Sequence, residues 1–303
     1  MVNSGCLPFT IYYSPFTFLS LITHHSSLTN MSRVITAIIL LPILVASILF
    51  QRLMPLFVAL ALVAMVLGLY EFWWLARKQQ MKPDVVVGYA AAAALFVAFY
   101  FNALEFLLLI LLLFIIAALI AATLRGAPFD KMLASLGATV LGVMYVALLG
   151  GHLVALRTGI NTEPGFQAHI IALLSFFFLV IMGSDTGAYY TGRAIGRHKL
   201  APSISPGKTW EGALGGMVAS LLMAVLAHYW FFLDLPLKWA LALAAVMNIF
   251  GVLGDLTESA LKRGAGAKDA AHILPGHGGL LDRLDSLLFN APLIYYFGRL
   301  YFG

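Results

Sequence analysis

The sequence predicts an all-α, polytopic integral membrane protein. Three observations carry this prediction. Hydrophobic residues make up 62% of the 303 and charged residues only 10%, against about 25% charged in a soluble domain. The apolar residues fall in long uninterrupted blocks, matching the ~20 residues that a spanning helix requires. Basic residues crowd alternate loops, the pattern left by membrane insertion.

Nine segments form the predicted spans. The first, Arg33–Phe50, follows Met31-Ser32, and Pro55–Ala76 is closed by Arg77 and Lys78. Val85–Phe101 is short and alanine-rich, and Leu104–Leu124 stops at Arg125. Met132–Leu156 runs from Lys131 to Arg157, and Ala168–Tyr190 leads into the polar stretch Thr191–Thr209. Trp210–Phe232, Leu237–Leu261 and Leu284–Tyr301 complete the set, with a second long polar stretch, Arg263–Arg283, before the last. Polar connections of that length between short neighbours are usually functional. The glycines within Leu214–Ser220 predict close helix packing.

Placing the start of the first span inside puts only Arg52, Arg157, Lys238 and Arg299 on the outer face, and the other 14 of the 18 Lys and Arg inside. Lys and Arg stay in the cytoplasm during insertion. The amino end is therefore expected inside, the carboxyl end outside, and both polar stretches on the cytoplasmic side of the inner (cytoplasmic) membrane. The net charge of +5 belongs to this face and not to nucleic-acid binding. The single cysteine, Cys6, excludes an intrachain disulfide and a cysteine-based zinc site.

Three regions are expected. Residues 1–30 carry no Lys, Arg, Asp or Glu and form a poorly ordered extension, with the native protein starting at Met31. The competing reading is an interfacial segment held by Phe9, Tyr12, Tyr13, Phe16 and Phe18. Residues 31–165 hold the amino-terminal spans, and residues 166–303 form the catalytic region.

Chemistry concentrates between Asp255 and Asp285. Five of the chain's 13 acids lie there (Asp255, Glu258, Asp269, Asp282, Asp285), with Lys262, Arg263, Lys268, Arg283, His272 and His277. Charge so dense in a membrane chain needs a reason. At 3.6 residues per turn, Asp255, Glu258, Ser259 and Lys262 share one helical face, and Asp282 and Asp285 share another. One helix ends where the next begins, so the two faces can meet. Asp255, Asp282 and Asp285 are the expected ligands of a magnesium ion carrying phosphate. The competing explanation is internal salt bridging plus acids favoured at a helix start. The turn Pro275-Gly276-His277-Gly278-Gly279 offers backbone amides to phosphate oxygens, and Lys262, Arg263, Lys268 and Arg283 supply cations around it. His277 is placed to donate to a phosphate or relay a proton.

Two further segments stand out. In Ser203-Ile204-Ser205-Pro206-Gly207-Lys208-Thr209-Trp210-Glu211, Thr209 is a candidate N-cap and Lys208 a candidate phosphate ligand at a helix amino end. A plain helix start bearing a positive-inside lysine fits these residues equally well. In Gly183-Ser184-Asp185-Thr186-Gly187, Asp185 has no close cation in sequence before Arg193, so it needs a partner from another helix or a place in a wet cavity. A structural and a catalytic role are open to it. Glu71, beside Trp73, Trp74 and Arg77, reads as interfacial, as do His152 and His169.

The run from Ser259 to Asp285 resembles the signature of phosphatidate cytidylyltransferases (CDP-diacylglycerol synthases). The match is dense over these 27 residues. The segments Ser205-Pro-x-Lys208-Thr209-x-Glu211-Gly212 and Ser184-Asp185-Thr186-x-Ala188-Tyr189 also look like motifs of that family. Ala270 and Ala271 stand where Ser and Gly are common, leaving the charged positions untouched. The resemblance implies transfer of CMP from CTP to phosphatidic acid at the bilayer, with magnesium and a monovalent cation such as potassium, and it is compatible with a homodimer. It implies catalytic roles for Lys262, Arg263, Lys268, Asp269, His277 and Arg283. Substrate contacts would fall to Asp185, Ser205, Lys208, Thr209, Glu211, Gly278 and Gly279.

Alternatives come from three classes. A CTP-dependent lipid or polyprenol kinase shares the nucleotide and metal. A CDP-alcohol phosphotransferase would carry Asp-Gly-x2-Ala-Arg…Gly-x3-Asp-x3-Asp, which this chain lacks. An ion-coupled secondary transporter would hold its acids near the midplane and show paired repeats. No repeat is apparent here, and the acids crowd one end.

Overall fold

The structure is a computed structural model describing residues 41–126, 129–159, 164–267 and 279–302. Every predicted span coincides with a helix, the first only over residues 41–49 (α1). The others are α2 (Met54–Lys78), α3 (Val85–Tyr100), α4 (Leu107–Leu124), α5 (Met132–Thr158), α6 (Pro164–Ile195), α7 (Trp210–Trp230), α8 (Leu237–Gly264) and α9 (Leu281–Tyr301). Six of the described helices are long and apolar enough to cross a membrane by length and composition, α3 being a shorter apolar helix of 16 residues. The extension 1–30 and the start of the first span lie outside the described residues.

The helices differ in what they bury. On α4 only Phe114 and Ala118 are buried, while Leu108, Leu112, Leu113 and Ile120 are more than half exposed. Such a face suits lipid, because apolar side chains lose nothing against hydrocarbon. Toward the centre, α6 packs along α7, α8 lies against both α7 and α9, and α9 leans on α5. The α6–α7 seam is made of small residues. A Cβ on Gly187 would fall 2.9 Å from the Gly215 carbonyl oxygen, and one on Gly215 would fall 2.2 Å from Thr191 Oγ1. Backbones approach this closely only where side chains are absent.

Two features depart from the sequence reading. The stretch after the sixth span is not a plain loop: α6 continues to Ile195, and β1 (Lys199–Ala201) pairs antiparallel with β2 (Ser205–Thr209). Ser-Pro-Gly-Lys-Thr is thus the second strand of a small hairpin, a local exception to the all-α architecture. Glu71 and His152 are not interfacial. Glu71 is 0% exposed. His152 is buried against Phe99, Tyr295 and Tyr296, its Nδ1 2.8 Å from the Leu148 carbonyl oxygen. Both lie on helices whose neighbours in space come from distant sequence, so local context misassigns them.

Helix α5 is irregular at its centre. Residues Val143–Leu148 form a π-helical stretch between two α-helical segments. Just before it, Trp73 Nε1 donates to the Ala138 carbonyl at 3.1 Å, and a Cβ on Gly142 would lie 2.6 Å from Trp73 Nε1. A side-chain donor on the ladder and a close helix contact therefore precede the bulge, circumstances that commonly distort a helix.

Candidate active site

The site forms where α8 and α9 run closest. A Cβ on Gly254 would stand 2.5 Å from the Asp285 carbonyl oxygen, so glycine at 254 is what lets the two backbones touch. The next residue is Asp255, and one turn on is Glu258. These two and Asp285 can each offer one carboxylate oxygen, with all three oxygens within 4.8 Å of one another. Glu258 is 1% and Asp285 9% exposed. Three carboxylates this close repel one another unless cations sit among them.

Two lysines provide part of that charge. Lys208 projects from β2 with its Nζ buried 2.6 Å from Asp255 Oδ2. Lys262 bridges Glu258 Oε2 at 2.7 Å and Asp282 Oδ1 at 2.6 Å. Asp185 of α6 is within electrostatic reach of Asp255 and Lys208, and Asp285 interacts with Asp255, Asp185 and Lys208. Glu258 Oε1 is buried with no hydrogen-bond partner among the described residues. An unpaired buried carboxylate oxygen is costly, so this atom calls for a proton or a cation.

The predicted trio is therefore regrouped. Asp255 and Asp285 meet, and the third member of the cluster is Glu258. Asp282 sits on the first turn of α9, accepts from the Gly279 amide at 3.1 Å and takes the Lys262 ammonium. It acts here as a helix-start acceptor and ion-pair partner. The two acids of α9 take different amides: Asp282 accepts from Gly279, ahead of the helix, whereas Asp285, a turn inside it, accepts from Ser286 at 2.7 Å with Oδ1 while meeting Asp255 and Glu258. Glu258 shares the predicted face of α8 with Asp255, and spacing within one helix cannot show which acid the next helix approaches.

The other predicted residues separate by role. Thr209 Oγ1 accepts from the Gly212 amide at 3.1 Å and so caps α7, as expected. Glu211 accepts from the Arg197 and His198 amides and lies 2.6 Å from His198 Nδ1, tying α7 to the chain that enters β1. Arg263 Nε donates to the Ile204 carbonyl at 3.2 Å, fastening the end of α8 to the hairpin turn. Ser205 is half-buried on β2, and Arg283 is exposed on the first turn of α9. Gly279 supplies the amide to Asp282. Lys268, Asp269, His277 and Gly278 lie outside the described residues.

One residue that holds the site came from the other half of the chain. Glu71 of α2 accepts from the Leu280 amide at 2.8 Å with Oε1 and from the Leu281 amide at 2.7 Å with Oε2. Helix α9 has no side-chain cap at its own Leu280. Glu71 thus supplies the missing acceptors from across the bundle, and negative charge at a helix start is favourable. A sequence signal existed: an acid inside an apolar block needs a partner.

Comparison with known proteins bears on this arrangement. The Cytidylyltransferase family matches residues 31–301 of the chain. The chain is 43% identical over 133 residues to the phosphatidate cytidylyltransferase of Haemophilus influenzae, covering 43% of this chain and 46% of that protein. It is 51% identical over 121 residues to the protein of that name from Staphylococcus haemolyticus, covering 39% and 46%. Against that from Bacillus subtilis it is 37% identical over 168 residues, covering 55% and 58%. The chain spans about half the length of the curated relatives it matches. The family match, by contrast, takes in all the described helices and every residue of the carboxylate cluster, and the chain belongs to the Cytidylyltransferase family.

Proposed function

We propose that this protein transfers CMP from CTP to phosphatidic acid, forming CDP-diacylglycerol and releasing pyrophosphate, at the cytoplasmic side of the inner membrane. The observation that carries this is the cluster of Asp255, Glu258 and Asp285 beside the buried Lys208 ammonium. It joins hard oxygen donors to a fixed cation at the end of membrane-spanning helices, as transfer between a water-soluble nucleotide and a lipid phosphate requires. The names carried by the Haemophilus, Staphylococcus and Bacillus relatives support the choice of substrates.

The donor set fits magnesium: three carboxylates converge, and one of their oxygens has no partner among the described residues. Bound there, magnesium would polarise phosphate oxygens and offset their charge. The phosphate oxygen of phosphatidic acid attacks the α-phosphorus of CTP, and the bond from that phosphorus to the β-phosphate bridge breaks as pyrophosphate leaves. The attacking phosphate is ionised at neutral pH, so no side chain must remove its proton. What the chain supplies is position and charge. Asp255, Glu258 and Asp285 hold the cation. Lys208 lies where it neutralises phosphate oxygens, and Arg263 and Arg283 add charge at the mouth. Lys262 keeps Glu258 and Asp282 in register. The same reading keeps Lys268, Asp269, His277 and Gly278 as contributors from the neighbouring loop, and potassium as an accessory cation.

The test is purified protein with CTP, phosphatidic acid and magnesium, with and without potassium. Pyrophosphate and the liponucleotide should appear in equal amounts. Release of CDP with a phosphorylated lipid would identify a kinase instead, and uptake of solute without CTP consumption would identify a transporter.

A further inference from the structure

Tyr145 is a buried polar residue that the site as described does not use. It lies in the π-helical stretch of α5 and is 5% exposed. Its ring is clamped by Phe72 of α2, 6.1 Å between centroids at 55°, and by Phe289 of α9, 6.1 Å at 75°. Its hydroxyl is buried and has no hydrogen-bond partner among the described residues. Phe289 lies one turn beyond Asp285, and its ring would meet a Cβ on Gly254 at 3.2 Å, so Tyr145 packs against the helix pair that carries Asp255, Glu258 and Asp285 and is within their electrostatic reach.

A buried hydroxyl without a partner is costly, and phenylalanine would fill the same aromatic slot without that cost. The hydroxyl is therefore expected to satisfy something absent from the chain itself. The bulge has a matching role, since π-helical turns are frequent at functional sites, where they redirect side chains. Glu258 Oε1, in the carboxylate cluster, is likewise unpartnered among the described residues. Two orphaned polar atoms, from different halves of the chain, thus lie on helices that pack around the cluster.

We propose that the Tyr145 hydroxyl donates a hydrogen bond to an oxygen brought into the Asp255–Glu258–Asp285 cluster by its occupant. That oxygen belongs either to water carried by the divalent cation or to a phosphate of the nucleotide. The inference rests on the proposed reading of the cluster as a cation and phosphate site. It makes the amino-terminal half, through α5, a direct contributor to the chemistry.

The experiment compares full-length wild type and Tyr145→Phe in detergent. Three quantities are read: thermal stability without ligand, Mn2+ affinity by electron paramagnetic resonance, and CTP affinity in Ca2+ by calorimetry. Without ligand, the variant should be as stable as wild type or more so. Affinity should fall roughly tenfold, the worth of one hydrogen bond. A fall with Mn2+ alone assigns the phenol to the cation's water. A fall with CTP and not with Mn2+ assigns it to a phosphate oxygen. Phe72→Leu serves as the packing control, expected to lower stability while keeping Mn2+ affinity. The inference is overturned if Tyr145→Phe binds both probes like wild type, if it loses stability without ligand, or if Phe72→Leu weakens Mn2+ equally. Absence of CDP-diacylglycerol from a wild type that binds Mn2+ would instead refute the proposed reaction and leave the Tyr145 comparison standing.

Discussion

Glu71 and Glu258 are both buried carboxylates in a chain with 13 acids, yet they do opposite things. Both oxygens of Glu71 accept backbone amides, from Leu280 and Leu281. One oxygen of Glu258 meets Lys262 and the other has no hydrogen-bond partner among the described residues. The first carboxylate is complete within the chain and fixes the start of α9. The second is incomplete and stands among other acids. Burial alone does not separate a structural acid from a functional one; the satisfaction of its oxygens does. By this criterion Asp282, with Lys262 and the Gly279 amide, resembles Glu71; Asp255 and Asp285, which meet Lys208 and the Ser286 amide, stand with Glu258 by the proximity of their oxygens.

The comparison breaks first at the cluster. Asp255→Asn and Asp285→Asn should each lower turnover by at least about a hundredfold, or ~2.7 kcal/mol of transition-state stabilisation, in protein that still inserts and elutes normally. Near-normal turnover at limiting magnesium would remove that acid from the ligand set. Gly254→Ala should act almost as strongly without touching a charge. Its new methyl meets the Asp285 carbonyl oxygen, a backbone atom that cannot swing away, so α8 and α9 must separate and the carboxylates with them. Wild-type activity in that variant would show that the close approach is not needed.

The two glutamates should then split cleanly. Glu258→Gln should keep stability close to wild type, because removing an incompletely paired buried charge relieves a desolvation cost. Its turnover should fall at least about tenfold. Glu71→Gln should do the reverse in emphasis. Its amide keeps one acceptor and turns a donor toward the other N–H, so it should cost about 2 kcal/mol of stability, the worth of a hydrogen bond to a charged group. Turnover at low temperature should survive better than in Glu258→Gln, with a raised magnesium requirement if α9 shifts. Equal stability losses in the two variants, read by thermal denaturation in detergent, would erase the distinction.

Much of this molecule was legible in the sequence. Apolar blocks located the described helices because in lipid the helix is the only open structure that satisfies every backbone group. Scarce charge located Asp255, Lys262, Asp282 and Asp285. The regrouping of Asp282 and Glu258 was not legible, since it depends on how closely α9 approaches α8 at Gly254 and on which residue finds free amides. The hairpin at Lys199–Thr209 was missed because two strands of three and five residues carry too short a pattern to register. For Glu71 an acid inside an apolar block signalled that a partner existed, but not which one: Leu280 and Leu281 lie about two hundred residues away.

The mildest prediction concerns an acid on the far side of the comparison. Asp234 follows α7 and lies 3.2 Å from His169 Nε2, with 74% of its side chain exposed. Here water satisfies whatever the protein does not, so the pair contributes little. Asp234→Asn should change stability by less than about 0.5 kcal/mol and leave turnover and magnesium dependence at wild-type values. The result sharpens the contrast because the substitution is chemically the same as Asp255→Asn and differs only in surroundings. A severalfold loss of turnover from Asp234→Asn would mean that the His169 end of α6 is coupled to Asp185, about 24 Å away along the helix at 1.5 Å per residue. Exposure would then be no guide to which carboxylates matter, and the division drawn from Glu71 and Glu258 would lose its basis.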